Sequence, residues 1–157
     1  TVFHAFIKCA LFLTAGIVIY QTGKTRVCEL QGIGKEMPRT LWCYTFASLG
    51  LIGIPPMSGF VSKWYLAQGA LSAQAGVFRY LGPAVLLVSA LLTAGYLLPV
   101  TIDGFLPGKN WKKESEKLEA PPGMLFPLAL LAVLTILLGL FPNPLASYIR
   151  DLAVTLL

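Results

Sequence analysis

Gly50-Leu51-Ile52-Gly53-Ile54-Pro55-Pro56-Met57-Ser58-Gly59-Phe60-Val61-Ser62-Lys63-Trp64-Tyr65-Leu66 interrupts a long apolar run with two prolines, then sets a lysine four residues past a glycine. From Thr40 to Leu71 the only charge is Lys63. A straight helix over those positions would run about 48 Å, well beyond a hydrocarbon core of roughly 30 Å. Pro55 and Pro56 have no N–H, so the carbonyls of Leu51 and Ile52 lose their helical donors. Ile54 and Pro55 each precede a proline and are pushed away from α geometry. Ser58 and Gly59 suit a cap and turn from which a helix restarts. The expectation is a broken transmembrane helix: a first half over about Thr40–Ile54, a break over 55–60, and a second half from about Val61.

Working outward, the rest of the chain supplies membrane-length companions. Of 157 residues, 56% are apolar and only 12% charged, and mean hydropathy is +0.73; soluble domains carry about 25% charged residues. Apolar runs over about 1–20, 83–102 and 123–141 each suit one crossing. With the broken segment over 40–71, the reading is an all-α, polytopic transmembrane bundle of about four spans, forming a single membrane domain. Residues 145–157 suit either an interfacial helix or the start of another span. Pro99 can bend the end of the third span, Pro127 is early enough in the last to be tolerated, and Ser89, Thr93 and Gly95 suit close helix packing. The chain opens on Thr-Val-Phe-His, already inside an apolar run, as a piece of a larger subunit would.

Net charge is +5, and eight of the 12 basic residues behind it fall in two alternate loops. Lys24, Arg26, Lys35 and Arg39 fall in 21–39, and Lys109, Lys112, Lys113 and Lys117 in 103–122, whereas the connection over 72–82 has only Arg79. Excess Lys and Arg mark the cytoplasmic side, so loops 21–39 and 103–122 are expected there, with Trp111 as an interfacial anchor. Glu114, Glu116 and Glu119 interleave with the second cluster, which argues against a nucleic-acid surface. Cys9, Cys28 and Cys43 form no CxxC and have no partner histidine at metal spacing. Gly32-Ile33-Gly34 would need glycine where Met37 stands to make a dinucleotide fingerprint.

Three ionisable groups lie at membrane depth. His4 and Lys8 are four residues apart and share one helix face about 6 Å from each other. Lys63 follows the break. A lysine at bilayer depth costs about 3 kcal/mol on insertion scales, and such groups mark ion and proton pathways. A desolvated lysine can take up and release a proton, and histidine titrates near neutrality. His4, Lys8 and Lys63 thus form a candidate proton relay if water bridges them. The competing reading has each lysine snorkel to the interface along its apolar stem, with His4 a packing residue.

His4-Ala5-Phe6-Ile7-Lys8 through Leu11-Phe12-Leu13 and Gly16, the Gly32–Pro38 loop, and Gly53-Ile54-Pro55-Pro56-Met57-Ser58-Gly59-Phe60-Val61-Ser62-Lys63-Trp64 together resemble the antiporter-like subunits of respiratory complex I. Multisubunit cation/proton antiporters and membrane-bound hydrogenases share that family. The resemblance implies about fourteen transmembrane helices with inverted repeats and two broken helices, of which this chain would supply the last four. It implies that Lys8 and His4 sit on the helix joining two half-channels and that Lys63 is the terminal ionisable group of the second broken helix. The family's glutamate–lysine pair of the first half-channel does not occur in this stretch. The function implied is proton translocation in a redox-driven NADH:quinone oxidoreductase-like complex. NADH, FMN, iron–sulfur clusters and quinone would then reside in partner subunits, and this chain would hold neither cofactor nor metal. Implied partners are other membrane subunits, the remaining helices of the same subunit, lipid, and protons or Na⁺, in a prokaryotic cytoplasmic membrane. The alternatives are a Na⁺ or K⁺/proton antiporter subunit, a hydrogenase subunit, and a structural membrane subunit with silent lysines.

Overall fold

A computed structural model describes residues 2–72, 76, 78–108, 118–143 and 147–148. The expectations for Lys109, Trp111, Lys112, Lys113, Glu114, Glu116 and Lys117, and for most of 145–157, lie outside these residues. Among the described residues the chain is helical: α1 Val2–Thr22, a 3₁₀ turn Val27–Leu30, α2 Ile33–Glu36, α3 Pro38–Ile52, α4 Ser58–Ser72, α5 Phe78–Phe105 and α6 Pro122–Leu140. Three of these, α1, α5 and α6, are long and apolar enough to cross a membrane. At 15 residues each, α3 and α4 run about 22 Å, too short to cross alone; in series they supply the broken span. The protein is an integral membrane protein with an all-α polytopic bundle.

The break falls earlier than expected. Helix α3 starts at Pro38, two residues before Thr40, because proline suits the first helical position. It ends at Ile52 because Gly53 takes the left-handed conformation (φ 88°). The N–H groups of Gly53 and Ile54 both return to Leu49 O, at 3.0 and 3.1 Å. The second half restarts at Ser58 rather than Val61, so Ser58 and Gly59 belong to the first turn of α4 instead of forming a turn before it. Ser58 is buried, with no hydrogen-bond partner for its hydroxyl among the described residues, so it is not the expected cap. Gly59 is needed for proximity: a Cβ there would overlap the Gly50 carbonyl oxygen. The Pro55–Pro56 peptide is cis.

The other bounds also shift. Helix α5 begins at Phe78, five residues ahead of Pro83, which therefore sits in its second turn and deprives the Arg79 carbonyl of its helical donor. Pro122 opens α6, one residue before the expected start, again at a proline-tolerant position. Gly95 meets nothing within 4 Å; Ser89 and Gly95 lie on an open face of α5 rather than at a helix contact.

The core lies where α1, α3 and α6 meet, around Ile7, Ala10, Ile17, Leu41, Ala47 and Leu128. Lipid tails are as apolar as these side chains, so small residues that let backbones approach matter more than bulk. Thr14, Ser48 and Thr135 are buried, and each hydroxyl donates to the carbonyl one turn earlier, at 2.8, 2.8 and 2.9 Å. Their polarity is satisfied inside their own helices.

The loop expected over 21–39 is largely folded, and its 32–37 stretch is buried apart from Lys35. Ile33, Met37 and Glu36 are almost fully covered, and Gly34 lies so close to α5 that an added Cβ would be 2.9 Å from the Gly104 carbonyl oxygen. Gly32 N–H donates to Asp103 O at 2.9 Å, and Gln21 Nε2 donates to Glu119 O at 3.3 Å. The end of α1, the end of α5 and the start of α6 thus share one end of the bundle.

Candidate functional site at the helix break

Four elements converge on the break. The end of α3 brings Gly50 and Leu51, and the first turns of α4 bring Gly59, Ser62, Lys63 and Leu66. Helix α1 brings His4 and Ile7, and α5 brings Leu86. Together they line a cavity of about 300 Å³, room for several water molecules.

Lys63 does not point away along an apolar surface. Its Nζ donates to Ile52 O at 2.7 Å and to Leu51 O at 3.3 Å. These are the two carbonyls that the prolines strip of helical donors. An ammonium at a helix C-terminus also meets the negative end of the helix dipole. The clasp occupies two of the three ammonium N–H groups. Gly53 makes room for it: a Cβ there would lie 2.9 Å from Lys63 Cδ, and its φ of +88° already disfavours a side chain. Local sequence therefore builds the seat from three signals: Gly53 ends α3, Pro55 and Pro56 orphan two carbonyls, and Lys63 reaches back to them from the second turn of α4.

The structure brings His4 and Lys63 to one cavity and leaves Lys8 outside its lining. His4 and Lys8 are both exposed on α1. Cys9 is exposed on α1 as well. Pro55 and Pro56 form the break itself, Gly59 lets α4 approach α3 at the Gly50 carbonyl, and Ser58 is buried at the start of α4.

Sequence reasoning missed the charged cluster at the loop end. Lys24 Nζ stands 3.5 Å from Glu36 Oε2, with side chains 25% and 3% exposed, and Arg39 Nε stands 3.7 Å from Glu119 Oε2. Glu36, one of two acids inside a basic loop, was the available signal. Also missed was the part played by α6, whose Gly139 and Thr135 lie against the break; nothing in their apolar surroundings marks them.

Comparison with known proteins identifies the family. The profile of a family described as NADH:quinone oxidoreductase/Mrp antiporter, transmembrane, matches residues 1–93, a stretch holding His4, Lys8 and Lys63. The chain is 40% identical to an NADH-quinone oxidoreductase subunit of the N type from Desulforudis audaxviator, over 96% of this chain and 32% of that protein. It is 33% identical to an Na(+)/H(+) antiporter subunit from Bacillus subtilis, over 96% of this chain and 30% of that protein. With an NADH-quinone oxidoreductase subunit of the L type from Mycobacterium tuberculosis the identity is 35%, over 87% and 22%. The chain spans about a third or less of the length of these relatives. With more than half its residues matched by one family profile, the chain belongs to the NADH:quinone oxidoreductase/Mrp antiporter family of transmembrane proteins.

Proposed function

We propose that the chain is the C-terminal part of a proton-translocating subunit in a redox-driven NADH:quinone oxidoreductase-type complex, with Lys63 as the group that loads and releases the proton. The observation that carries this reading is the shared cavity of His4 and Lys63 beside a helix break. An irregular backbone at membrane depth is tolerated where protein or water covers it, and such breaks recur where transporters handle ions. Water in the cavity links the imidazole to the ammonium. Lys8, one turn along α1 from His4, continues the path toward helices beyond this stretch. Redox cofactors belong to partner subunits in this scheme, and this chain supplies protonatable groups and the hydrated space between them.

The test uses the full-length subunit in native membranes. His4→Gln keeps a hydrogen-bonding side chain and cannot titrate, so NADH-driven acidification of vesicles is expected to fall about tenfold or more per assembled complex. An unchanged rate would remove His4 from the path. Similarity to an Na(+)/H(+) antiporter protein favours a second reading, in which the same residues exchange Na⁺ for protons without redox. Acidification driven by an imposed Na⁺ gradient, in membranes without NADH, would select it.

We further propose that the loop end of the bundle is cytoplasmic and the membrane prokaryotic. Native Cys28 and an introduced Gly108→Cys are then shielded from an impermeant maleimide in intact cells, while Arg79→Cys is labelled. The reverse pattern would invert the topology.

A further inference from the structure

Gly139 stands in the last turn of α6, outside the cavity and 76 positions along the chain from Lys63. Glycine inside a helix costs about 0.5–1 kcal/mol relative to alanine, so its place there calls for a local reason. A Cβ at Gly139 would overlap the Pro56 carbonyl oxygen and lie 2.5 Å from the Met57 carbonyl carbon and 2.6 Å from Ser58 N. These are backbone atoms, bounded by α3 on one side and α4 on the other, and cannot swing away as a side chain would. One turn earlier on the same face, Thr135 Cγ2 lies 2.9 Å from the position a Cβ on Gly50 would take. Thr135 is fully buried, and its hydroxyl is bound to Leu131 O. One face of α6 therefore runs along the break from Gly50 to Ser58.

We infer that α6 is a brace for the broken helix and that Gly139 is a positioning residue, acting on Lys63 through the backbone of Pro56–Ser58. Ser58 starts α4, and Lys63 follows five residues later on that rigid helix. To admit a methyl group the Pro56–Ser58 backbone must retreat by about 1 Å, toward ordinary van der Waals separation. Such a shift carries α4 with it and stretches the Lys63 bonds to Ile52 O and Leu51 O, now 2.7 and 3.3 Å, past hydrogen-bonding range. The inference rests on the assignment of Lys63 as the translocating group.

The experiment compares Gly139→Ala with Gly123→Ala on the same helix, where an added Cβ meets nothing within 4 Å. Both are made in the full-length subunit and assayed in native membranes, per assembled complex. Gly139→Ala is expected to lower translocation about 10- to 100-fold, since a displacement near 1 Å at a reacting group has that scale of effect; Gly123→Ala stays at the wild-type rate. In a Lys63→Ala background, Gly139→Ala should cause no further loss, because the two changes act on one group. If Gly139→Ala does not assemble, Gly50→Ala takes its place. That variant drives a Cβ against the Thr135 methyl, and Thr135→Ser, which deletes the methyl and keeps the hydroxyl, should restore translocation. Wild-type translocation in Gly139→Ala, an equal further loss in the Lys63→Ala background, or no restoration by Thr135→Ser would each overturn the brace. A normal rate in Lys63→Ala alone would instead remove the function on which the inference rests. A defect there beside a normal Gly139→Ala would sink the brace and leave that function standing.

Discussion

Lys63→Ala in the full-length subunit is expected to reduce proton translocation by about 100-fold or more, the scale on which a positioned proton-transfer group contributes. The informative comparison is with two other substitutions. Lys63→Arg keeps the positive charge and has donors enough to hold the Leu51 and Ile52 carbonyls, but a guanidinium with a pKa above about 12 cannot cycle. Proton transfer through residue 63 therefore predicts that Arg is nearly as impaired as Ala. A purely structural clasp predicts that Arg is close to wild type, and so does a lysine that merely snorkels. Lys63→Glu restores a titratable group, yet an ionised carboxylate would face two carbonyl oxygens and a protonated one can donate only once. It should lie between Ala and wild type, and above Arg. Proton-pumping assays normalised to assembled complex separate these orders, and full activity in Lys63→Arg would count decisively against proton transfer at this position.

Replacing Pro55 and Pro56 together with alanine is the second large effect. The new N–H groups at 55 and 56 can donate to the carbonyls of Leu51 and Ile52, the same oxygens that hold the Lys63 ammonium. Hydrogen bonds to a charged group contribute about 1.5–3 kcal/mol each, so competition for two acceptors should lower translocation about tenfold. Insertion and assembly should survive, because alanine is well accommodated in a helix. Those bonds form as Gly53, now left-handed with its N–H returned to Leu49 O, gives way to a helix that continues past Ile52. Adding Gly53→Ala, which crowds the Lys63 stem, should bring the rate down to that of Lys63→Ala. Pumping at the wild-type rate in the double variant would show that the orphaned carbonyls are not what seats the lysine.

A membrane fold and a broken helix were readable from composition and from Pro55-Pro56 alone, because both follow from local rules. Apolar runs near twenty residues have one stable environment, and proline removes a donor wherever it stands. The same reasoning marked Leu51 and Ile52 as orphaned acceptors. It could not name their new donor, because nothing local says whether a lysine in the second turn of the next helix reaches back or away. Exact bounds escaped for a similar reason. Helix α3 stops at Gly53 rather than before Pro55 because a glycine at positive φ closes the helix on Leu49 O, an option that competes with continuing for two more residues.

Lys8 shows the opposite limit. Its spacing from His4 puts both on one face of α1, yet only His4 lines the cavity with Lys63, since sharing a face says nothing about which neighbour the face meets. Glu36 and Met37 looked like members of a solvated loop and are buried, because loop depth depends on how closely Gly34 lets the chain approach α5. Gly139 is the extreme case. In sequence it is one glycine in an apolar helix; in three dimensions it lies against the carbonyl of Pro56. Local chemistry, then, decided that the helix breaks and that its carbonyls want a donor. Contacts between residues distant in the chain decided which donor answers and which helix holds the break in place, because steric fit between backbones has no signature shorter than the fold itself.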